Sequence, residues 1–216
     1  MAQMHSEKPE AGDTAPEAST GASAGSPKDR LDGRRARSLR TRTAVTDALL
    51  ELIQEGDLRP TAPDIADRAG VSLRSVFQHF SDLDTLFAEA AGRHLENARP
   101  YLGEPISAQG LLAERAAAIA AQRARLWEYM TPVRRAARLV EADSETLAAI
   151  LSFGHESHRA DVQRVFEPEI GDDAALLDAC DLALSWDAWE TLRRRQHLGV
   201  DDAVDVVRLT IECLLV

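Results

Sequence analysis

The chain has 216 residues, a formal charge of −11, an apolar share of 44% and two cysteines, Cys180 and Cys213. That length and apolar share allow one or two domains with a sizeable core, and so few cysteines exclude a disulfide framework, pointing instead to two buried thiols in a reducing compartment. With no apolar leader and no run of about 18 apolar residues, no helical membrane span is expected, and the expected location is the cytoplasm.

Residues 1–33 are rich in Ala, Gly, Ser, Pro and acidic groups, with Leu31 the only large aliphatic residue after the early methionines. Such a composition buries too little surface to offset its ordering entropy, so a disordered leader is expected. Its end is basic. Residues 28–43 hold Lys28, Arg30, Arg34, Arg35, Arg37, Arg40 and Arg42 against Asp29 and Asp32, a net of +5, while 83–216 carries −9. Cationic charge is therefore gathered in one stretch, where a polyanion can be held.

From Arg34 onward the apolar spacing is helical. Val45, Ala48, Leu49 and Leu52 make one stripe ending at Gly56. A short helix is predicted from Ala62 or Pro63 to Ala69, with Thr61 as N-cap and Gly70 as the break. Ser72 caps a second, to about His79, and Ser81 or Asp82 caps a third, to about Arg99. Longer helices are predicted over 107–131, 132–141, 143–167, 172–197 and 201–216, with Pro132 separating the first two. The expectation is an all-α fold of about nine helices. A three-helix helix-turn-helix domain covers 34–82, and a larger helical bundle covers 83–216.

Residues 61–80 read TAPDIADRAGVSLRSVFQHF. Ile65, Ala66 and Ala69 form an inner face, Gly70 supplies a sharp turn, and Val71 with Val76 fills the space between the two short helices. The outward face of the second helix carries Ser72, Arg74, Ser75, Gln78 and His79, all able to hydrogen-bond and none acidic. This is the pattern of a helix that reads DNA, with Arg74 long enough to reach a guanine edge.

The run from Arg42 to Leu86 resembles the N-terminal domain of TetR/AcrR-type regulators. The resemblance is carried by Thr61, Ile65, Ala66, Ala69, Gly70, Val71, Ser72, Phe77, Phe80 and Leu86. It implies a recognition helix in the major groove of double-stranded DNA, with the first helix and the start of the fourth leaning on the backbone. The candidate DNA contacts are Arg40, Arg42, Thr61, Ser72, Arg74, Ser75, Phe77, Gln78 and His79. Phe77 stands where such proteins commonly have a Tyr whose hydroxyl meets a phosphate, and Leu83 where they usually have Lys. The WDAWETLRRRQHLG stretch and the helix after Gly199 also look like that family's dimerising end.

Leu176, Leu177, Cys180, Leu184, Trp186 and Trp189 point nearly all round the predicted helix 172–197, and Val204, Val207, Ile211 and Leu214 form a stripe on 201–216. A girdle of this kind needs covering on several sides, which suits a homodimer through 172–216. The resemblance also implies a small apolar or amphipathic effector and, by family default, repression at a palindromic operator. Trp127, Phe153 and Trp186 are candidate ligand walls. His155 and His158 lie three apart but lack a third ligand at metal-site spacing, so they read as a solvated face, with no metal or cofactor expected. No nucleophile elbow, phosphate loop or dinucleotide fingerprint is present, so an enzyme is not expected. The alternatives are an orphan regulator without a ligand and a helical-bundle protein-interaction module.

Overall fold

The computed structural model describes residues 27–216, with side chains from Asp32 onward, so the leader expected over 1–33 lies outside the described residues up to residue 26. Helix α1, Pro27–Gln54, begins inside that expected leader. Proline suits a first helical position because its missing N–H has no intrahelical acceptor there, and the Lys, Arg and Ala residues that follow are good helix formers. The described residues up to Arg37 and residues 38–216 fall into separate units. In the first, residues 32–37 are helical and exposed.

In the second unit the apolar stripe of α1 is buried at Val45, Leu49 and Ile53. Helices α2 (Ala62–Ala69), α3 (Leu73–His79) and α4 (Leu83–Asn97) pack on it, closing a core around Ile65, Val76, Phe80 and Leu86. There follow α5 (Arg99–Leu102), α6 (Leu112–Ala137), a 3₁₀ turn (Glu141–Asp143), α7 (Glu145–Val165), α8 (Glu167–Ile170), α9 (Ala174–Ala183), α10 (Trp186–Glu190), a π turn (Thr191–Arg195) and α11 (Val200–Leu214). A second core is built on Ile119, Leu126, Phe166, Trp189 and Ile211. Every regular element among the described residues is helical, and none is long and apolar enough to cross a membrane.

Four expectations are corrected. Pro132 does not separate two helices but sits inside α6. Proline there removes the hydrogen bond to the Glu128 carbonyl and costs about 3 kcal/mol. On one side of it Ile119, Leu126 and Trp127 are buried in the second core, and on the other Val133 and Ala136 are buried in the first. Each large apolar group buried contributes about 1.5–3 kcal/mol, so packing wins. The segment 172–197 is not one helix. It breaks at Ser185, whose hydroxyl accepts from the Ala188 N–H at 3.1 Å and donates to the Leu182 carbonyl at 2.8 Å, capping both neighbours at once. With α5 and α8 added, the described residues hold eleven α-helices rather than about nine. Finally, Cys180 is buried but Cys213 is exposed, because it lies two residues past Ile211 and so on the opposite side of α11. Burial pushes the Cys180 thiol up to about 11, which leaves it protonated.

Leu86 and Ala90 of α4 belong to the first core, while Leu95 packs on the second.

Candidate nucleic-acid interface and helical-domain cavity

Helix α2 starts with a capping box. The Thr61 N–H donates to Asp64 Oδ2 at 3.1 Å and the Asp64 N–H to Thr61 Oγ1 at 3.5 Å, with the Thr61 hydroxyl also bonded to that carboxylate. These bonds hold the Asp64 carboxyl below its usual range, the hydroxyl contributing most. Gly70 ends the helix in the left-handed region at φ 64°, and a Cβ there would meet nothing within 4 Å. Its role is therefore conformational rather than steric. The Val71 N–H then returns to the Ala66 carbonyl at 3.0 Å, and α3 starts one residue after Ser72.

Ser72 caps α3 by accepting from the Ser75 N–H at 3.1 Å, and the two hydroxyls lie 2.9 Å apart. Val76 and Phe80 turn inward. Leu73, Arg74, Phe77 and Gln78 turn outward, Phe77 with 50% of its surface exposed. Arg74, Gln78 and the exposed Arg40 make no hydrogen bond or ion pair with the described residues. His79 is half-buried.

Arg42 differs from the free phosphate contact expected of it. Its Nε donates to both Glu89 oxygens at 2.8 and 3.0 Å, its Nη1 donates to the His79 carbonyl at 2.6 Å, and its guanidinium lies 4.4 Å from the Phe80 ring centroid. The side chain is spent tying α1 and α4 to the end of α3. No local pattern marks Glu89, because its partner lies 47 residues away.

A cavity of about 80 Å³ lies between α4, α6, α7 and the α9–α10 corner. Trp127, Met130, Leu151 and Trp186 give it apolar walls. Both of those indoles use their N–H elsewhere: Trp127 Nε1 donates to the Leu184 carbonyl at 3.0 Å and Trp186 Nε1 to Thr131 Oγ1 at 3.1 Å. Arg123, Arg134, His158 and Asp181 are the polar part of its lining. The imidazole of His158 stands edge-on to Trp127, with centroids 4.9 Å apart, and burial, aided by the Arg123 cation, pushes it down to about 3. It is therefore neutral at physiological pH, and the expectation of a solvated histidine face fails for it. His155, more exposed, faces Asp181 at 3.4 Å. Phe153 is corrected too. It is 68% exposed and outside the cavity, because Leu147, Ile150, Leu151, Gly154 and His158 form the inward side of α7 and place it on the other. A more open cleft of about 430 Å³ beside Leu102 and Pro105 shares Arg123 and His158 as a common wall.

Residues 45–90 match the family model described as bacterial regulatory proteins, tetR family. The N-terminal domain belongs to the TetR family. Solved structures extend the likeness over most of the chain. A transcriptional regulator from Rhodococcus sp. Rha1 is 20% identical with a TM-score of 0.63, over 82% of this chain and 95% of that one. A TetR-family transcriptional regulator from Mesorhizobium loti is 18% identical with a TM-score of 0.59, over 83% and 96%. A transcriptional regulator from Pseudomonas aeruginosa is 18% identical with a TM-score of 0.55, over 84% and 91%. At these identities the likeness is one of fold. No curated protein matches the sequence significantly.

Within this TetR-type domain Leu83, which replaces the family's usual Lys, is half-buried against the first core. At the far end Leu182 of α9 is 67% exposed and Leu209 of α11 is 56% exposed, with Val206 beside them. Leu182 and Val206 line an apolar groove between α9–α10 and α11. Arg123 and Arg134 escaped the sequence reading, since an arginine inside an otherwise helical pattern gives no sign of being buried.

Proposed function

We propose that the chain is a ligand-responsive transcriptional repressor that binds a palindromic operator as a homodimer, with 34–82 reading DNA and 83–216 carrying regulation and dimerisation. The observation that carries this reading is the outward face of α3, where Arg74 and Gln78 stand exposed, without partners among the described residues and without an acidic neighbour on that helix. An arginine left free in this way can meet guanine O6 and N7 in the major groove with two parallel hydrogen bonds. Ser72, Ser75, Thr61 and His79 can hydrogen-bond phosphate oxygens, Phe77 lies against the sugar edge, and Arg40 adds a backbone cation. Leu182, Val206 and Leu209 meet their copies across a two-fold axis, which sets two recognition helices at successive major grooves.

The cavity has a mechanical route to the DNA-reading helices. Val133 of α6 lines the cavity and is buried in the first core, and α4 lines the cavity with Ala91 and Leu95 while its Leu86 and Ala90 sit in that core. An effector that binds a wider cavity better than a closed one shifts the protein toward the state in which α4 and α6 are displaced, and with them the spacing of the two reading heads.

The test is a mobility-shift titration, over a range of salt, on DNA from upstream of the protein's own coding region. A specific, salt-sensitive complex is expected. Arg74→Ala should weaken it by about 1–3 kcal/mol and relax sequence preference. Equal affinity of wild type and variant for all DNA would reject the reading.

A further inference from the structure

We propose that the effector is a small monoanion with an apolar body, a carboxylic acid in its ionised form, whose head pairs with Arg134 while its hydrocarbon lies along Trp127, Met130 and Trp186. This deepens the effector-cavity reading and rests on it.

The charges around the cavity decide the class. Arg123 is met by Asp161 at 3.1 Å, Asp181 by His155 at 3.4 Å and Arg159 at 3.7 Å, and Asp187 by Arg138 at 3.2 Å. Arg134 is left over. It lines the cavity and makes no hydrogen bond and no ion pair with the described residues, its close neighbour being the Trp186 ring, 5.6 Å away by centroid. Glu141 and Asp187 act on it only from a distance, and burial is the larger influence, working against its charged form. The Arg134 Nε is buried without any acceptor among the described residues, and so is the Arg123 Nε on the same cavity. A buried donor left unmade costs about 1–3 kcal/mol, and a guanidinium does not escape the cost by losing its proton.

An ionised carboxylate answers that vacancy, since its two oxygens accept a parallel pair of guanidinium N–H bonds. A single unmatched cation calls for a single negative charge. A dianion would bring its second charge toward Asp181 and Asp187. The body is apolar because the two tryptophans offer carbon surface only, their N–H groups being used on the Leu184 carbonyl and Thr131. It is small because about 80 Å³ is roughly half the ~150 Å³ cavity that admits benzene. Only an acid well below benzene in size enters as the cavity stands. A longer or aromatic one has to widen it, and α4 and α6 form its walls.

The 216-residue chain is titrated at pH 7 with butyrate, hexanoate and phenylacetate, each against its own primary amide, and with toluene, reading indole fluorescence and calorimetry. At least one acid is expected to bind, at least tenfold more tightly than its amide. Arg134→Gln should bring the acid down to the level of the amide and leave the amide where it was. Arg134→Lys, which keeps the charge but loses the fork, should retain part of the preference. Thermal melts check that both variants fold, and removing an unmatched buried cation should not lower Tm. Amides binding as well as acids, toluene binding where no acid does, or an Arg134→Gln variant that holds the acid unchanged would each overturn the anion while leaving a neutral effector in place. If acids, amides and toluene all fail to bind, the effector-cavity reading falls and this inference with it.

Discussion

Arg42 and Arg74 lie 32 positions apart in the DNA-reading half, and the fold gives them opposite tasks. Arg42 is bonded to Glu89 and the His79 carbonyl, so Arg42→Ala should unseat the end of α3 and leave a half-buried carboxylate without its cation. A loss of about 1–2 kcal/mol in stability is expected in urea melts, toward the low end because both side chains keep a third of their surface in water. Arg74→Ala should leave the same melts unchanged. Phe77 is the converse case. Half exposed and lacking a hydroxyl, it should gain a phosphate hydrogen bond as Phe77→Tyr and tighten DNA binding several-fold in a mobility-shift titration, with no change in the folded state. His158 sets a pH dependence. Burial lowers its pKa from 6.5 to about 3 in the folded chain, so between those values the unfolded chain binds a proton that the folded chain refuses. Stability should therefore fall as pH falls through that window, by up to about 1.4 kcal/mol per unit. His94, lowered by the same cause, works in the same direction. Urea midpoints at pH 7 and pH 5 check this, and His158→Gln should shrink the difference between them.

At the scale of elements, α6 carries the most consequence. It runs through Pro132 from one core into the other, so a displacement at Trp127 or Met130 is felt at Val133 and Ala136. Pro132→Ala restores an N–H for the Glu128 carbonyl and should raise Tm by several degrees, as regaining up to about 3 kcal/mol of helix propensity implies. Unchanged or lowered Tm would mean that the surroundings are already built for the missing bond. The turn between α2 and α3 was legible in the sequence because its requirements are local: a threonine with an aspartate three residues on, a glycine at positive φ, and a serine before the next helix. The break at Ser185 was not, since a serine inside an apolar helical pattern caps a new helix only when packing favours the corner. Nor was the continuity through Pro132, where burial in two separate cores outweighs a local penalty.

For the whole molecule, the exposed Leu182, Val206 and Leu209 on neighbouring helices form an apolar face. Leu209→Glu together with Leu182→Arg should hold the chain monomeric in sedimentation and weaken operator binding far more than Arg74→Ala does, because a lone head loses the second half-site entirely. A double variant that sediments like the wild type would remove the dimer from this face.

The amino-acid sequence by itself determined the helical class, the helix-turn-helix with its outward Arg74, and the family of that domain, since each depends on residues a few positions apart. Only the tertiary structure decided that Arg42 is a clamp, that Phe153 faces outward, that His158 is half-buried and neutral, and that Arg134 lines a cavity with no partner among the described residues. Those outcomes depend on which side of a helix meets which neighbour, and on the water each charge loses there. Both are properties of contacts made across tens of residues.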